Sequence, residues 1–236
     1  MLQLVIGNKN YSSWSMRPWV LMKQLGLPFE EIRLRFDFSD GSPFYAALAQ
    51  YTPAGQVPVL RLEPDADGRR FAVWDTLAIV EALADAFPGA GVWPADARAR
   101  ARARSVCAEM HAGFTALRQH CPMNIELRMP EVGVRVMAEQ PRVRANLARI
   151  EALWADALAT SGGPFLFGAF SAADAYYAPV GQRILSYALP VSDTSRAYVD
   201  RVAATPGVAA WVAEALAEAD FLAEDEPYRT SRTAAP

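Results

Sequence analysis

Apolar residues fall in short runs and alternations through the first third of the chain, then settle into three- and four-residue steps. Leu2, Leu4, Val5 and Ile6 read as a short buried strand over 1–7, and Met16, Trp19, Val20 and Leu21 as one face of a helix over 15–25 that Gly26-Leu27-Pro28 ends. A second strand is predicted over 29–36, where Ile32, Leu34 and Phe36 alternate with charged residues, and a polar, helix-prone stretch over 42–51. Residues 57–62 and 70–74 form a predicted hairpin around Asp65-Ala66-Asp67-Gly68, whose Asp-Gly is a strong turn signal, and 76–87 closes the unit as a helix. The order is βαβ-α-ββα, in which the first crossover must be right-handed.

Beyond residue 87 the β-branched and aromatic residues give way to alanine and arginine, with Pro88-Gly89-Ala90-Gly91 opening a linker over 88–95. An all-helical domain is predicted over 96–222. A helix over 96–121 carries Val106, Met110, Phe114, Leu117 and Cys121 on one face, until Pro122 stops it. Another over 131–160, open to interruption at Pro141, has Val143, Leu147, Ile150, Leu153, Trp154, Ala157 and Leu158 on its inner face. Ser171-Ala172-Ala173-Asp174 reads as a capping box with Asp in place of Glu or Gln. Helices over 195–204 and 207–222, separated by Pro206, complete the bundle, and 223–236 reads as a loosely held tail.

Candidate chemistry lies in the first domain, 1–87. Pro58 stands at the start of an apolar β-run, where it removes a ladder donor, so a special turn with a cis Val57-Pro58 bond is expected after Gly55-Gln56. Such a turn leaves backbone groups of Val57 free to pair, strand-like, with a peptide ligand. At the start of the first helix lies Tyr11-Ser12-Ser13-Trp14-Ser15-Met16-Arg17. Any of Ser12, Ser13 and Ser15 suits a helix cap. Asp75-Thr76 at the start of the 76–87 helix suits a cap too, and equally suits the charged amino and carboxylate groups of a ligand.

With these motifs in order, the chain resembles the cytosolic glutathione transferase family. Its Ser12-to-Arg17 segment is most similar to the serine motif of the zeta class, the maleylacetoacetate isomerases. The resemblance implies an N-terminal thioredoxin-like domain followed by a C-terminal helical bundle, with glutathione as co-substrate. It implies that Ser12 donates a hydrogen bond to the glutathione sulfur, that Val57 before the cis-proline Pro58 binds the cysteinyl backbone, and that Asp75-Thr76 holds the γ-glutamyl group. The family has Glu or Gln followed by Ser at that pair, so the last assignment departs from the pattern. Ser13, Ser15, Arg17 and Gln56 are further candidates for contact with glutathione. Met110, His111, Phe114 and Arg118, on the first helix of the second domain, are candidates for lining the electrophile site, with His111 and Arg118 suited to an anionic substrate. The Ser171–Asp174 cap resembles a folding signal of the family. Transfer to an electrophilic carbon, isomerisation by reversible addition to a conjugated double bond, and a non-catalytic binding or assembly role all remain open. The family further implies an isologous homodimer, one subunit's N-terminal domain against the other's helical domain, with Asp75 near the neighbouring subunit.

Composition narrows the rest. The 236 residues suffice for two domains, and a 52% hydrophobic fraction supplies both cores. With 23 basic against 26 acidic side chains the net charge is −3, which gives no broad reason for nucleic-acid binding. Arg98, Arg100, Arg102 and Arg104 recur every second residue, at about 200° steps around a helix, so they spread around its surface. No apolar run is long enough for a membrane span, residues 1–7 lack the basic start and length of a signal peptide, and a cytoplasmic location is expected. Cys107 and Cys121 form no CxxC or zinc pattern with His111 and His120, so no metal is expected. Serine at 12 and 13, where a thiol–disulfide oxidoreductase of this fold carries cysteine, disfavours a mixed-disulfide mechanism.

Overall fold

A computed structural model describes residues 1–232. β1 (Leu2–Ile6) runs parallel to β2 (Phe29–Arg33) and antiparallel to β3 (Val59–Pro64), which pairs antiparallel with β4 (Arg70–Trp74), giving the sheet order β2-β1-β3-β4. α1 (Ser13–Gln24), α2 (Pro43–Leu48) and α3 (Thr76–Ala86) complete the expected βαβ-α-ββα order. β1 is apolar on both faces because one packs beneath α1 while the other, through Val5, joins Val59, Phe36, Phe44 and Leu48 in a small second core.

The helical half begins with α4 (Ala97–Ala112), α5 (Thr115–His120), α6 (Pro130–Glu139) and α7 (Pro141–Ser161), and ends with α8 (Ala172–Ser186), α9 (Asp193–Ala203) and α10 (Pro206–Glu218). α1 packs against α3 and also against α8 and α10, so one apolar core runs across both halves of the chain. The Ser171–Asp174 capping box is formed. Its buried Asp174 carboxylate accepts from the N–H groups of Ser171 (3.0 Å) and Leu166 (3.1 Å) and from the Tyr198 hydroxyl (2.9 Å).

Three expectations are corrected. The helix expected over 96–121 is two: at Gly113 a Cβ would meet the Glu109 carbonyl at 2.7 Å, and Phe114 takes φ 55°, which ends α4 and turns the chain into α5. The strand expected to reach residue 36 ends at Arg33, and Phe36 turns into the second core against Phe44. The segment after Leu222, read as loosely held, is tied down as far as Arg232: the buried Glu226 carboxylate accepts from Tyr11 (2.8 Å) and Asn124 (2.8 Å) and pairs with Arg229, and Tyr228 donates to the His120 carbonyl (2.8 Å). Residues 233–236 of that expected tail lie outside the described residues. The 131–160 pattern does break at Pro141, because the residue before a proline is pushed out of the helical region, and Gln140 is extended at φ −112°, ψ 88°.

Between β1 and α1 the chain makes a polar turn that is nonetheless buried. The Lys9 ammonium, 1% exposed, pairs with Glu31 (2.7 Å) and with Glu214, and lies over the rings of Trp19 (4.5 Å) and Trp211 (5.5 Å). Lys9→Ala removes both the charge and the packed stem, and should lower unfolding free energy by roughly 3 kcal/mol in urea melts. Lys9→Met keeps the stem and should recover part of that loss.

Candidate active site

The turn that Lys9 anchors delivers Ser12 to the start of α1. The Ser12 N–H donates to the Asn8 carbonyl (2.8 Å), and the Ser12 hydroxyl caps the helix by accepting from the Ser15 N–H (3.3 Å). Ser12 and Ser15 hydroxyls are 2.8 Å apart, and Ser15 Oγ accepts from the Gly7 N–H (3.2 Å). Ser15 is fully buried and spent inside the turn, whereas Ser12 and Ser13 line a cleft of ≈ 480 Å³ together with Trp14, Gln56 and Val57.

Val57-Pro58 is cis, as the sequence implied. Neither the N–H nor the C=O of Val57 has a protein partner among the described residues, so the edge presents a free donor and acceptor beside the cleft. An adjoining cavity of ≈ 250 Å³ is lined by Trp14, Gln56, Val57, Pro58, Asp75, Thr76 and His111; the first three are common to both. Asp75 caps α3 by accepting from the Leu77 N–H (2.8 Å), yet holds φ 72°, ψ 131°, a conformation that costs a non-glycine residue about 1–3 kcal/mol. Its other carboxylate oxygen lies 3.2 Å from His111 Nε2. Burial lowers the His111 pKa, with Arg17 and Arg118 adding to the effect and Asp75 opposing it, so the imidazole is neutral at pH 7. Thr76 is buried and accepts from the Tyr176 hydroxyl (2.8 Å).

The remaining sequence candidates divide. Arg118 lines the larger cleft. His111 faces Asp75 and Thr76 in the smaller cavity, away from the electrophile position expected of it. Met110 and Phe114 are buried in the apolar core and line neither cavity, because the break at Gly113 turns Phe114 inward. Arg17 also lines neither: it is 1% exposed, stacked between Trp14 (4.1 Å) and Tyr176 (4.9 Å), with Nε and one Nη lacking hydrogen-bond partners. Burial brings its pKa down to about 10. Tyr11 lines the cleft, but its hydroxyl is engaged by Glu226, and burial beside that carboxylate raises its pKa. Burial raises the pKa of both cysteine thiols as well, Cys121 to about 12.

Sequence reasoning missed Arg183 and Asp225, which also line the cleft. A signal existed for Arg183, an arginine inside a helix whose neighbours are alanine, tyrosine, valine and isoleucine. Asp225 had none, since it arrives on the folded-back C-terminal segment. Among the described residues no group of three His, Cys, Asp or Glu side chains gathers to hold a metal ion, and no helix is long and apolar enough to cross a membrane.

Fold and site together define the two-domain class in which a thioredoxin-like sheet domain with a cis-proline turn is joined to a helical domain. A family model for the glutathione S-transferase N-terminal domain matches residues 11–86, and one for the C-terminal domain matches 137–214, together roughly two thirds of the chain. The chain belongs to the glutathione S-transferase family. Its fold is similar to that of a glutathione transferase homolog from Burkholderia gl BGR1 with bound glutathione, at 22% identity, TM-score 0.67, covering 92% of this chain and 98% of that one. It is also similar to a maleylacetoacetate isomerase from Anaeromyxobacter dehalogenans 2CP-1 with bound GSH, at 25% identity, TM-score 0.60, covering 89% and 94%. No curated protein matches the chain.

Asp75→Gly tests the strain: glycine accepts a positive φ without cost and loses little as a cap, so thermal melts should show the melting temperature holding or rising.

Proposed function

We propose that this chain binds reduced glutathione across the two joined cavities and raises the reactivity of its thiol toward a small electrophile. The observation that carries the reading is the junction itself: Ser12 at the α1 cap, the unpaired Val57 edge and Asp75-Thr76 line two cavities that share Trp14, Gln56 and Val57. The γ-glutamyl group fits the smaller cavity, its ammonium toward Asp75 and its carboxylate toward the N-terminus of α3. The cysteinyl backbone pairs with Val57, which directs its sulfur toward Ser12. Two hydroxyls 2.8 Å apart can exchange donor and acceptor roles. When Ser15 donates to Ser12 Oγ, the Ser12 proton is free for the sulfur, and α1's N-terminus adds its positive end. Both favour thiolate over thiol, whose free pKa is ~8.5.

The thiolate then attacks an electrophilic carbon. Its reversible addition to a conjugated double bond would give isomerisation, a narrower reading supported by the Ser12–Arg17 motif and by likeness to an isomerase fold. Calorimetry with millimolar glutathione should show saturable binding; absence of heat and of any thermal shift would reject the reading. Ser12→Ala should keep affinity within a few-fold, lower kcat at neutral pH by tenfold or more, and move the acid limb of the pH–rate profile upward. Binding without turnover of any electrophile would leave a non-catalytic binding protein.

The working form is proposed to be a cytoplasmic homodimer. β4 is an edge strand that exposes Phe71 on one face and Trp74 on the other, and a second copy would cover this open edge. Light scattering should give twice the 25.8 kDa chain mass, and a concentration-independent monomer would reject the dimer.

A further inference from the structure

The larger cleft has two kinds of lining, from different halves of the chain. The segment from the end of β2 through the start of α2 supplies Phe36, Phe38, Phe44 and Tyr45, successive rings with centroids 5.1–6.2 Å apart, and Phe38 and Tyr45 are exposed. The helical half supplies two guanidinium groups, Arg118 and Arg183. Arg183 is buried, and spends its donors on the carbonyls of Cys121 (2.8 Å) and Pro179 (3.1 Å) and on Ser13 Oγ (3.4 Å). Arg118 lies over Trp14 (4.8 Å) and reaches only the carbonyls of His111 (3.3 Å) and Gly113 (3.4 Å), at the long end of hydrogen bonding.

Among the described residues neither arginine has a carboxylate partner, and neither has Arg17, stacked on the same indole. Burial lowers the pKa of all three, with Arg118 adding to the effect at Arg17 and both adding to it at Arg183, yet Arg17 at about 10 and Arg183 at about 9 stay cationic at neutral pH. Among the described residues Asp225 is the one acidic group lining the cleft; it pairs with neither arginine, and burial, Glu224 and Glu226 push its carboxyl toward the neutral form. Two guanidinium groups without carboxylate partners on the wall of a cleft, with a third buried behind the shared Trp14 indole, are costly without an anion, and the aromatic lining suits a flat ring.

We propose that the electrophile this cleft accepts is an aromatic carboxylate, its ring among Phe38, Phe44 and Tyr45 and its carboxylate on Arg118, beside Ser13 and Arg183. The proposal rests on the transferase reading and names its substrate class. For an aryl halide the step is a substitution: the glutathione thiolate gives its electron pair to the halogen-bearing carbon, the C–S bond forms, and the C–Cl bond breaks with chloride keeping its pair. The thiol proton goes to solvent.

The test uses two matched pairs on the full chain saturated with glutathione. One is a chloronitrobenzoate, with chlorine ortho to the nitro group, and its methyl ester; the other is nitrobenzoate and its methyl ester, which lack a leaving group and report binding alone. The acid should bind, and show a lower KM, by at least tenfold relative to its ester. Arg118→Gln should bring the acid-to-ester ratio toward one, and Arg118→Lys should retain most of it. Arg118 is partly exposed, so thermal melts of both variants should stay near that of the parent chain. Equal binding of acid and ester overturns the proposal, as does an Arg118→Gln effect that falls on glutathione affinity instead. Turnover of the ester without preference for the acid leaves the transferase reading intact and sinks only this one. Preferential acid binding without turnover of either overturns the assignment of this class as the electrophile and leaves the transferase reading to other electrophiles.

Discussion

Everything at the site depends on the polar turn between β1 and α1, held in place by residues far away in the chain. Asn8 accepts from the Phe36 N–H (2.7 Å) and donates to Asp220 (3.0 Å); the Lys9 N–H donates to Glu218 (2.8 Å), and the Lys9 carbonyl accepts from the Trp211 indole (3.0 Å). Asn10 accepts from the Glu126 N–H (2.9 Å) through its side chain, and Tyr11 donates to Glu226. Each of the four residues ahead of Ser12 is thus hydrogen-bonded to the C-terminal half. A buried run of Asn, Lys, Asn and Tyr is tolerable only when its polar groups are matched in this way. The consequence for chemistry is that Ser12 sits on a rigid support supplied by both halves.

The same economy of partners explains which serine faces the cleft. Ser15 is committed to the Gly7 N–H, while the Ser12 hydroxyl meets the Ser15 N–H and Oγ inside the turn and keeps one side toward the cavity. Tyr11, the neighbouring hydroxyl, is removed from contention by Glu226. The charge pattern is uneven as well: the acidic groups of α10 and the segment after it serve Lys9, Arg33 and Arg35, while Arg17, Arg118 and Arg183 receive none among the described residues.

The sheet domain was legible because its signals are local. Alternation, Asp-Gly at the hairpin tip and Pro58 at a strand start each restrict the backbone within a few residues, and the order of elements along the chain and the cis bond follow them. The helical half was legible in its faces and less so in its breaks, since Pro141 announces itself but Gly113-Phe114 continues the apolar spacing while its backbone departs from it. Met110 and Phe114 were misplaced for that reason: a helix face says that a residue is inward, not whether inward means cleft or core. The C-terminal segment was the least legible. Its anchors, Tyr11, Asn124 and Glu126, lie more than a hundred residues away, and no local pattern encodes a contact of that range.

The central claim is that this turn shifts the ionisation of a bound thiol. Ultraviolet difference spectroscopy of the glutathione complex, titrated against pH, reads thiolate directly and needs no electrophile. The bound thiol should titrate at least one unit below the free value of ~8.5, and Ser12→Ala should return it most of the way. A bound thiol that titrates at or above the free value, with glutathione saturating, would contradict the account.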